Sequence, residues 1–223
     1  MINAITLLKR RRDLSVDEFQ NYWRHQHADV IAKLPGIQRY VQSHPLHETY
    51  QEDGPVYDGV AELLANDSQA FRNIGTSEAY VAVQADEENF LDRSANALVL
   101  TDEYVIKDGP VVDDSIKCIR LFNRNPDMPV DDFQSYWRDE YGPLIAALPA
   151  LDRYVQYPAR VGGYAKGGQP ACDGFDITWF GSVNALRNAM NSTDYERGRS
   201  NHGYFLAASD CPQIIAREHV ITG

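Results

Sequence analysis

Residues Phe19 to Gln42 read FQNYWRHQHADVIAKLPGIQRYVQ, and Phe133 to Gln156 read FQSYWRDEYGPLIAALPALDRYVQ; thirteen of the twenty-four aligned positions are identical at an offset of 114. Self-similarity at a fixed period marks a duplicated supersecondary unit. The match resumes further on at an offset of 115, where Asp58-Gly59 is answered by Asp173-Gly174, Tyr80 by Tyr195 and Glu103 by Glu218. One inserted residue in the loop between the second and third strands accounts for the change. The 223 residues therefore divide into two modules, 1–108 and 115–223, with Asp108-Gly109-Pro110 as the seam.

Each module has the same succession of elements. In the first, Met1 to Lys9 alternates as a strand, and Ser15 with Glu18 forms a capping box that opens a helix to about Leu34. Phe19, Trp23, Val30, Ile31 and Leu34 share one face of that helix, with His27 at its border and His25 on the far side. Pro35-Gly36 ends it. Strands are expected over Ile37–His44, Val56–Leu64 and Leu98–Ile106, with a second helix beginning at Asp67 or Ser68. In the second module the strands are 116–123, 151–157, 172–180 and 213–221, and the helices 129–148 and 182–190. Strand, helix, two strands, helix, strand is the ferredoxin-like βαββαβ order, an α+β class.

Composition excludes several partners. A net charge of −11, from 32 acidic and 21 basic residues, repels phosphate backbones and anionic lipid, so neither nucleic acid nor a membrane surface is expected. The run Lys9-Arg10-Arg11-Arg12 reads as a solvated loop. No stretch is long and apolar enough for a membrane span, and the N-terminus starts directly into a strand, so a cytoplasmic location is expected. Cys118, Cys172 and Cys211 are odd in number and far apart, which argues for free thiols rather than a disulfide or zinc site.

A four-stranded sheet with both helices on one side leaves its other face bare. Two such sheets can bury each other, packing face to face as an eight-stranded α+β barrel with room for a small ligand. On strand alternation the chamber would be lined by Thr6, Leu8, Tyr40, Gln42 and His44 from one module and by Cys118, Arg120, Phe122, Tyr154 and Gln156 from the other, with Ala61, Leu63, Asp176 and Thr178 alongside. That is an aromatic pocket with a few polar groups. Fused modules could satisfy their own interface as a monomer with an internal pseudo-dimer, or pair further as a homodimer.

The residues Phe19, Tyr22, Trp23, Arg24, His27, Ala28, Leu34, Pro35, Gly36, Arg39 and Tyr40 carry the pattern F-x-x-Y-W-R-x-x-H-A-x-x-x-x-x-L-P-G-x-x-R-Y. This resembles the signature of the EthD-like family in the dimeric α+β barrel superfamily, and the strand Tyr57 to Leu63 resembles that family's third strand. The likeness covers both halves, so the chain looks like a fused pair of such modules. It implies the barrel fold and a superfamily of cofactor-free monooxygenases, muconolactone isomerases, polyketide cyclases, dehydratases and haem enzymes. Such a fold does not fix the chemistry.

His27 matches the family's histidine, and an imidazole at a pocket edge can move protons at neutral pH. The second copy has Tyr141 there, followed by Gly142 and Pro143, so one of two pseudo-symmetric sites is expected to be active. His44, whose counterpart is Pro158, is a second acid or base candidate. Tyr40 and Tyr154 could stack on an aromatic substrate, with Gln42 and Gln156 beside them and Phe122 filling the same wall. Arg120, standing where the first copy has Thr6, needs a partner once buried: Asp176, or an anionic group on the substrate. Glu62, His202 and His219 are further ionisable candidates.

No metal is expected. His25 and His27 lie about 200° apart on a helix, and no HExxH, CxxC or EF-hand pattern occurs. Gly162 to Gly168 lacks a GK[ST] ending and reads as a loop or lid. The expectation is a cofactor-independent lyase, dehydratase, isomerase or cyclase acting on a small aromatic or lactone-like metabolite, with His27, His44 and Tyr141 catalytic and Tyr40, Gln42, Arg120, Phe122, Tyr154, Gln156 and Asp176 holding substrate. The competing readings are a cofactor-free monooxygenase, a haem enzyme and a non-catalytic binding protein.

Overall fold

The computed structural model describes residues 1–51, 54–208 and 211–223. The chain forms two compact units, Met1–Leu100 with Glu218–Gly223, and Thr101–Arg217.

Unit 1 opens with β1 (Ile2–Leu8) and enters α1 (Val16–Asn21) through the predicted capping box: Ser15 Oγ accepts from Glu18 N at 3.2 Å, and Glu18 Oε2 accepts from Ser15 N at 2.8 Å. The helix then widens. Tyr22–His27 is a π-helical turn, leading into α2 (Ala28–Ile31). The wider turn brings residues four apart closer to alignment, so Trp23 and His27 are both buried while His25 is exposed. There follow β2 (Ile37–Pro45), β3 (Gly59–Ala65), α3 (Ser68–Gly75, capped by Asp67), α4 (Glu78–Glu87, capped by Ser77) and β4 (Ala97–Thr101). The sheet order is β4-β1-β3-β2, with β3 antiparallel to both β1 and β2, as the ferredoxin-like order requires.

Unit 2 repeats this plan with β5 (Tyr104–Lys107), β6 (Ile116–Phe122), α5 (Val130–Tyr136), a π-helical turn at Trp137–Tyr141, α6 (Gly142–Ala146), β7 (Leu151–Pro158), β8 (Gly174–Phe180), α7 (Val183–Met190), α8 (Thr193–Arg199), α9 (His202–Phe205) and β9 (Gln213–Thr222). Its order is β9-β6-β8-β7-β5. Residues Gln213 to Arg217 of β9 pair with β6, while Glu218–Gly223 belong to unit 1. Among the described residues neither unit's strand order closes on itself, so the closure into an eight-stranded barrel expected from the sequence is not seen.

Two features differ from the sequence reading. The single strand expected over Leu98–Ile106 is two, because the chain changes partner at Asp102: its N–H donates to Pro158 O at 3.1 Å and its carboxylate pairs with Arg160. The second difference concerns faces. Alternation correctly groups Thr6, Leu8, Tyr40, Gln42 and His44 on one side of the sheet, but that side is covered by the helices rather than turned away from them. Leu8, Tyr40 and Ala61 pack with Phe19, Trp23, Ile31, Leu34 and Ile74 in one core, and Gln42 Nε2 donates to Trp23 O at 2.8 Å. Unit 2 agrees, with Gln156 Nε2 donating to Trp137 O at 2.9 Å and Phe122 against the Trp137 ring. A period of two says which side chains travel together, not which side the helices take.

The paired glycines explain why the tryptophans lie so flat on the sheet. A Cβ on Gly59 would fall 2.5 Å from the Trp23 ring, and one on Gly174 2.6 Å from Trp137. The preceding aspartates anchor the same corner: Asp58 accepts from Arg10 N at 3.1 Å, Asp173 from Arg124 N at 2.9 Å.

Candidate functional site

Between the sheet and the helices of unit 1 lies a cavity of about 500 Å³. Thr6 and Leu8 of β1, Tyr40 of β2 and Ala61 and Leu63 of β3 form its floor. Trp23, His27 and Ile31 supply one wall; Tyr80, Val83 and Glu87 of α4 another; Leu91, Arg93, Leu98 and Leu100 stand at the far end. Apolar walls with a few placed polar groups are what a small-molecule site requires.

His27 is buried, and its Nδ1 lies 2.7 Å from Asp86 Oδ2. A carboxylate can only accept, so Nδ1 carries the hydrogen and Nε2 the lone pair. Among the described residues Nε2 has no partner, which leaves it to a ligand. Asp86 is itself held by the Tyr22 hydroxyl, which donates to Oδ1 at 2.8 Å and accepts from Asn89 Nδ2 at 3.0 Å. Burial pushes the imidazole below its ordinary value and outweighs the opposing pull of Asp86, so the ring is neutral at pH 7. The ring is a neutral imidazole held in one tautomer.

Tyr40 is the second polar feature of the wall. Its Oη accepts from Trp23 Nε1 at 3.0 Å and from Gln42 Nε2 at 2.8 Å. Both neighbours can only donate, since an indole N–H has no lone pair and the Gln42 amide is oriented by its bond to Trp23 O. The phenol's own hydrogen therefore has no acceptor among the described residues. Burial raises the Tyr40 pKa despite the two donors, and the phenol stays protonated. Gln42 Oε1 lies 2.9 Å from His44 Nε2, completing a chain from His44 through Gln42 to Tyr40.

His44 does not reach the cavity. Its ring stacks on Trp23 at 4.4 Å and meets His219 edge-on at 4.8 Å. Burial, aided by the nearby His219, Arg24 and His25, lowers its pKa to about 2. It touches the cavity lining through Trp23, on which it stacks, and reaches Tyr40 through Gln42.

Unit 2 has the same scaffold with the space filled. Arg120 pairs with Asp176, whose Oδ1 also accepts from the Tyr154 hydroxyl and from Trp137 Nε1 at 3.2 Å; Gln156 Nε2 donates to Tyr154 Oη at 2.7 Å. The Arg120 guanidinium lies over the Phe122 and Tyr195 rings. Tyr141, at the His27 position, has its Oη 3.1 Å from His202 Nε2 and is packed by Phe205. Of the residues named from sequence, His27 and Tyr40 line one cavity and Gln42 and His44 support it, whereas Tyr141, Arg120, Phe122, Tyr154, Gln156 and Asp176 form a separate, mutually satisfied cluster in unit 2.

Sequence reasoning missed Asp86, Tyr22 as its holder, and the Glu87–Arg93 pair (3.2 Å) at the cavity edge, where burial raises the Glu87 pKa against the pull of Arg93. Among the described residues no three His, Cys, Asp or Glu side chains are grouped to hold a metal ion, and no helix is long and apolar enough to cross a membrane.

The model of the EthD domain matches the chain twice, over residues 11–94 and 125–209. No curated protein sequence matches. Among solved structures, an anthrone oxidase-like protein superposes with a TM-score of 0.70 at 9% identity, covering 100% of this chain and 94% of its own. A candidate monooxygenase from Lactobacillus acidophilus NCFM gives 0.58 at 10% identity, with 99% and 94% covered. A mutant chlorite dismutase from Candidatus Nitrospira defluvii gives 0.55 at 6%, with 99% and 91% covered. At these identities the likeness is one of fold.

Proposed function

This chain belongs to the EthD domain family, and from that premise we propose that unit 1 is a cofactor-independent acid–base catalyst acting on a small aromatic or lactone-like metabolite. The observation that carries the reading is the His27–Asp86 pair: a neutral imidazole whose Nδ1 is committed to a carboxylate and whose Nε2 is unclaimed at an apolar cavity. His27 Nε2 takes a proton from substrate carbon or oxygen and returns it to another atom, the shared first half of isomerisation, dehydration and cyclisation. The dyad arrangement supports this because Asp86 orients the ring and stabilises the imidazolium formed in the step. Tyr40 contacts substrate, Gln42 and His44 position Tyr40, and the cluster around Arg120 is structural.

The apolar floor of Leu8, Ala61 and Leu63 favours a flat, poorly charged substrate, and a cavity of about 500 Å³ falls within the range of small-molecule sites. The test is deuterium incorporation from D2O into a panel of enolisable aromatic ketones and lactones, wild type against His27→Gln. Exchange that needs His27 supports the reading; exchange equal in both proteins ends it. Oxygen uptake measured alongside would replace it with an oxygen-consuming reading, in line with the names of two structural neighbours, one a candidate monooxygenase and the other an anthrone oxidase-like protein.

A further inference from the structure

The two units are copies, so a residue that closes a hydrogen-bond network in one shows what is missing from the other. In unit 2 the Tyr154 hydroxyl accepts from Gln156 and donates to the Asp176 carboxylate. In unit 1 Tyr40 accepts from Gln42 in the same way, but Ala61 stands at the Asp176 position and Thr6 at that of Arg120. The exchange removes one carboxylate and one guanidinium from the site. It leaves an open volume and a buried O–H donor, 1% exposed as a residue, on the wall of that volume. A buried donor without an acceptor is costly, and native proteins leave few of them unexplained.

We infer that the unit 1 cavity binds its ligand through an oxygen acceptor that takes the Tyr40 hydrogen, in the role that Asp176 Oδ1 fills in unit 2, and that this acceptor is the carbonyl oxygen of an enolisable aromatic ketone or lactone. A carbonyl satisfies the donor without bringing a charge: Thr6 and Ala61 offer no counter-ion, and of the two arginines on the lining Arg93 is paired with Glu87 and Arg72 donates to Gln69. Aromatic bulk suits the walls formed by Trp23, Leu63 and Val83. The carbonyl identity, as distinct from any oxygen acceptor, rests on the proposed role of His27 as base. In that step the C–H bond beside the carbonyl breaks and its proton passes to His27 Nε2; the electron pair forms a C=C bond, and the carbonyl π pair moves onto oxygen. The enolate oxygen then accepts a stronger hydrogen bond from Tyr40 than the ketone did, which is the differential stabilisation catalysis needs. Trp23 and Gln42, both donating to Tyr40 Oη, make that phenol a better donor.

The probe pair is 1-tetralone and its oxygen-free analogue tetralin, tested on the full-length protein. Wild type is expected to bind 1-tetralone up to about tenfold more tightly than tetralin, the worth of one neutral hydrogen bond, and the infrared carbonyl stretch of the bound ketone moves to lower wavenumber. In Ala61→Asp, which installs the unit 2 acceptor, the preference and the shift disappear. In Tyr40→Phe the shift is reduced. Equal binding of the two probes, no binding of the ketone, or a carbonyl stretch unchanged by both substitutions overturns the inference. Deuterium exchange at C2 of the bound tetralone separates this from the catalytic reading: a shifted stretch without His27-dependent exchange keeps the acceptor site and removes the base, whereas exchange with an unshifted stretch keeps the base and removes the acceptor site.

Discussion

Asp86 touches His27 with one carboxylate oxygen, at 2.7 Å from Nδ1, and accepts the Tyr22 hydroxyl at 2.8 Å with the other. One side chain on α4 thus fixes both the tautomer and the tilt of a ring on the π-helical turn. Asp86→Asn can offer its amide nitrogen to Nδ1, which favours the tautomer with the hydrogen on Nε2 and takes away the cavity-side lone pair. The expected loss is in kcat, on the order of 10²–10⁴-fold, the usual contribution of a positioned base. Steady-state kinetics on a substrate found by deuterium exchange measure it; a loss confined to KM would make Asp86 a binding group instead.

The pH profile follows from the same pair. The base works only as neutral imidazole, and burial holds the His27 pKa below 6.5, so activity is level near neutrality and falls on the acid side. Asp86 opposes that shift by favouring the imidazolium. Its removal therefore moves the acid limb of the residual activity to still lower pH. A limb that moves to higher pH in Asp86→Asn would mean that another group titrates.

His44 ties stability to pH. Its folded pKa of about 2 lies below the unfolded value of 6.5, so below pH 6.5 the unfolded chain binds a proton that the folded one does not. The contribution is intact above pH 6.5 and declines as the pH falls, by about 1.4 kcal/mol per pH unit, or roughly 2 kcal/mol by pH 5. His27, shifted in the same direction, adds to the slope. Urea denaturation at pH 7.5 and pH 5 should show a markedly smaller difference for His44→Gln than for wild type; equal differences would place the imidazole in solvent.

The duplicated corner gives a steric prediction. Gly59 and Gly174 each lie where a Cβ would penetrate a tryptophan ring, to 2.5 and 2.6 Å. Neither ring can retreat, because Trp23 Nε1 is bonded to Tyr40 and Trp137 Nε1 to Asp176. Gly59→Ala should cost about 1–3 kcal/mol, typical of overpacking, and should also disturb the cavity wall. Gly174→Ala should cost as much while leaving ligand binding in unit 1 unchanged. Thermal melts and 1-tetralone titrations of the two variants separate these effects.

What was legible in the sequence depended on what kind of signal each residue leaves. The duplication, the element order and the capping box at Ser15 are written in local spacing. Trp23 and His27 sit in a motif dense enough to mark a family. Asp86 sits in none, because α4 is a short helix of mixed composition whose role depends on what lies across from it. Its one trace is that the repeat sets Tyr22-to-Asp86 against Tyr136-to-Asn201, and in both units the tyrosine hydroxyl donates to that partner, at 2.8 and 3.0 Å. The side of the sheet taken by the helices left no trace in alternation, although the bond between Trp23 and Tyr40 decides it once seen. Arg120 with Asp176 was foreseeable, because a guanidinium on an inward strand position must find a counter-charge.

That ion pair supplies the last prediction. Arg120 and Asp176 are both almost wholly buried, and the carboxylate also receives Tyr154 and Trp137. Asp176→Ala strands a guanidinium whose other hydrogen bond among the described residues is a long one, 3.4 Å to Tyr195 Oη, and leaves two further donors unmet. The expected cost is about 3–5 kcal/mol, that of breaking a buried pair on one side. The double variant Arg120→Thr/Asp176→Ala reproduces what unit 1 carries at Thr6 and Ala61. It removes the stranded charge and should recover a large part of the loss, the remainder being the cavity it opens and the Tyr154 hydrogen left without an acceptor. Denaturant midpoints of wild type, both single variants and the double form a cycle in which the coupling energy is the observable. Additive losses would show that the two charges are not coupled and that the filling of unit 2 has some other cause.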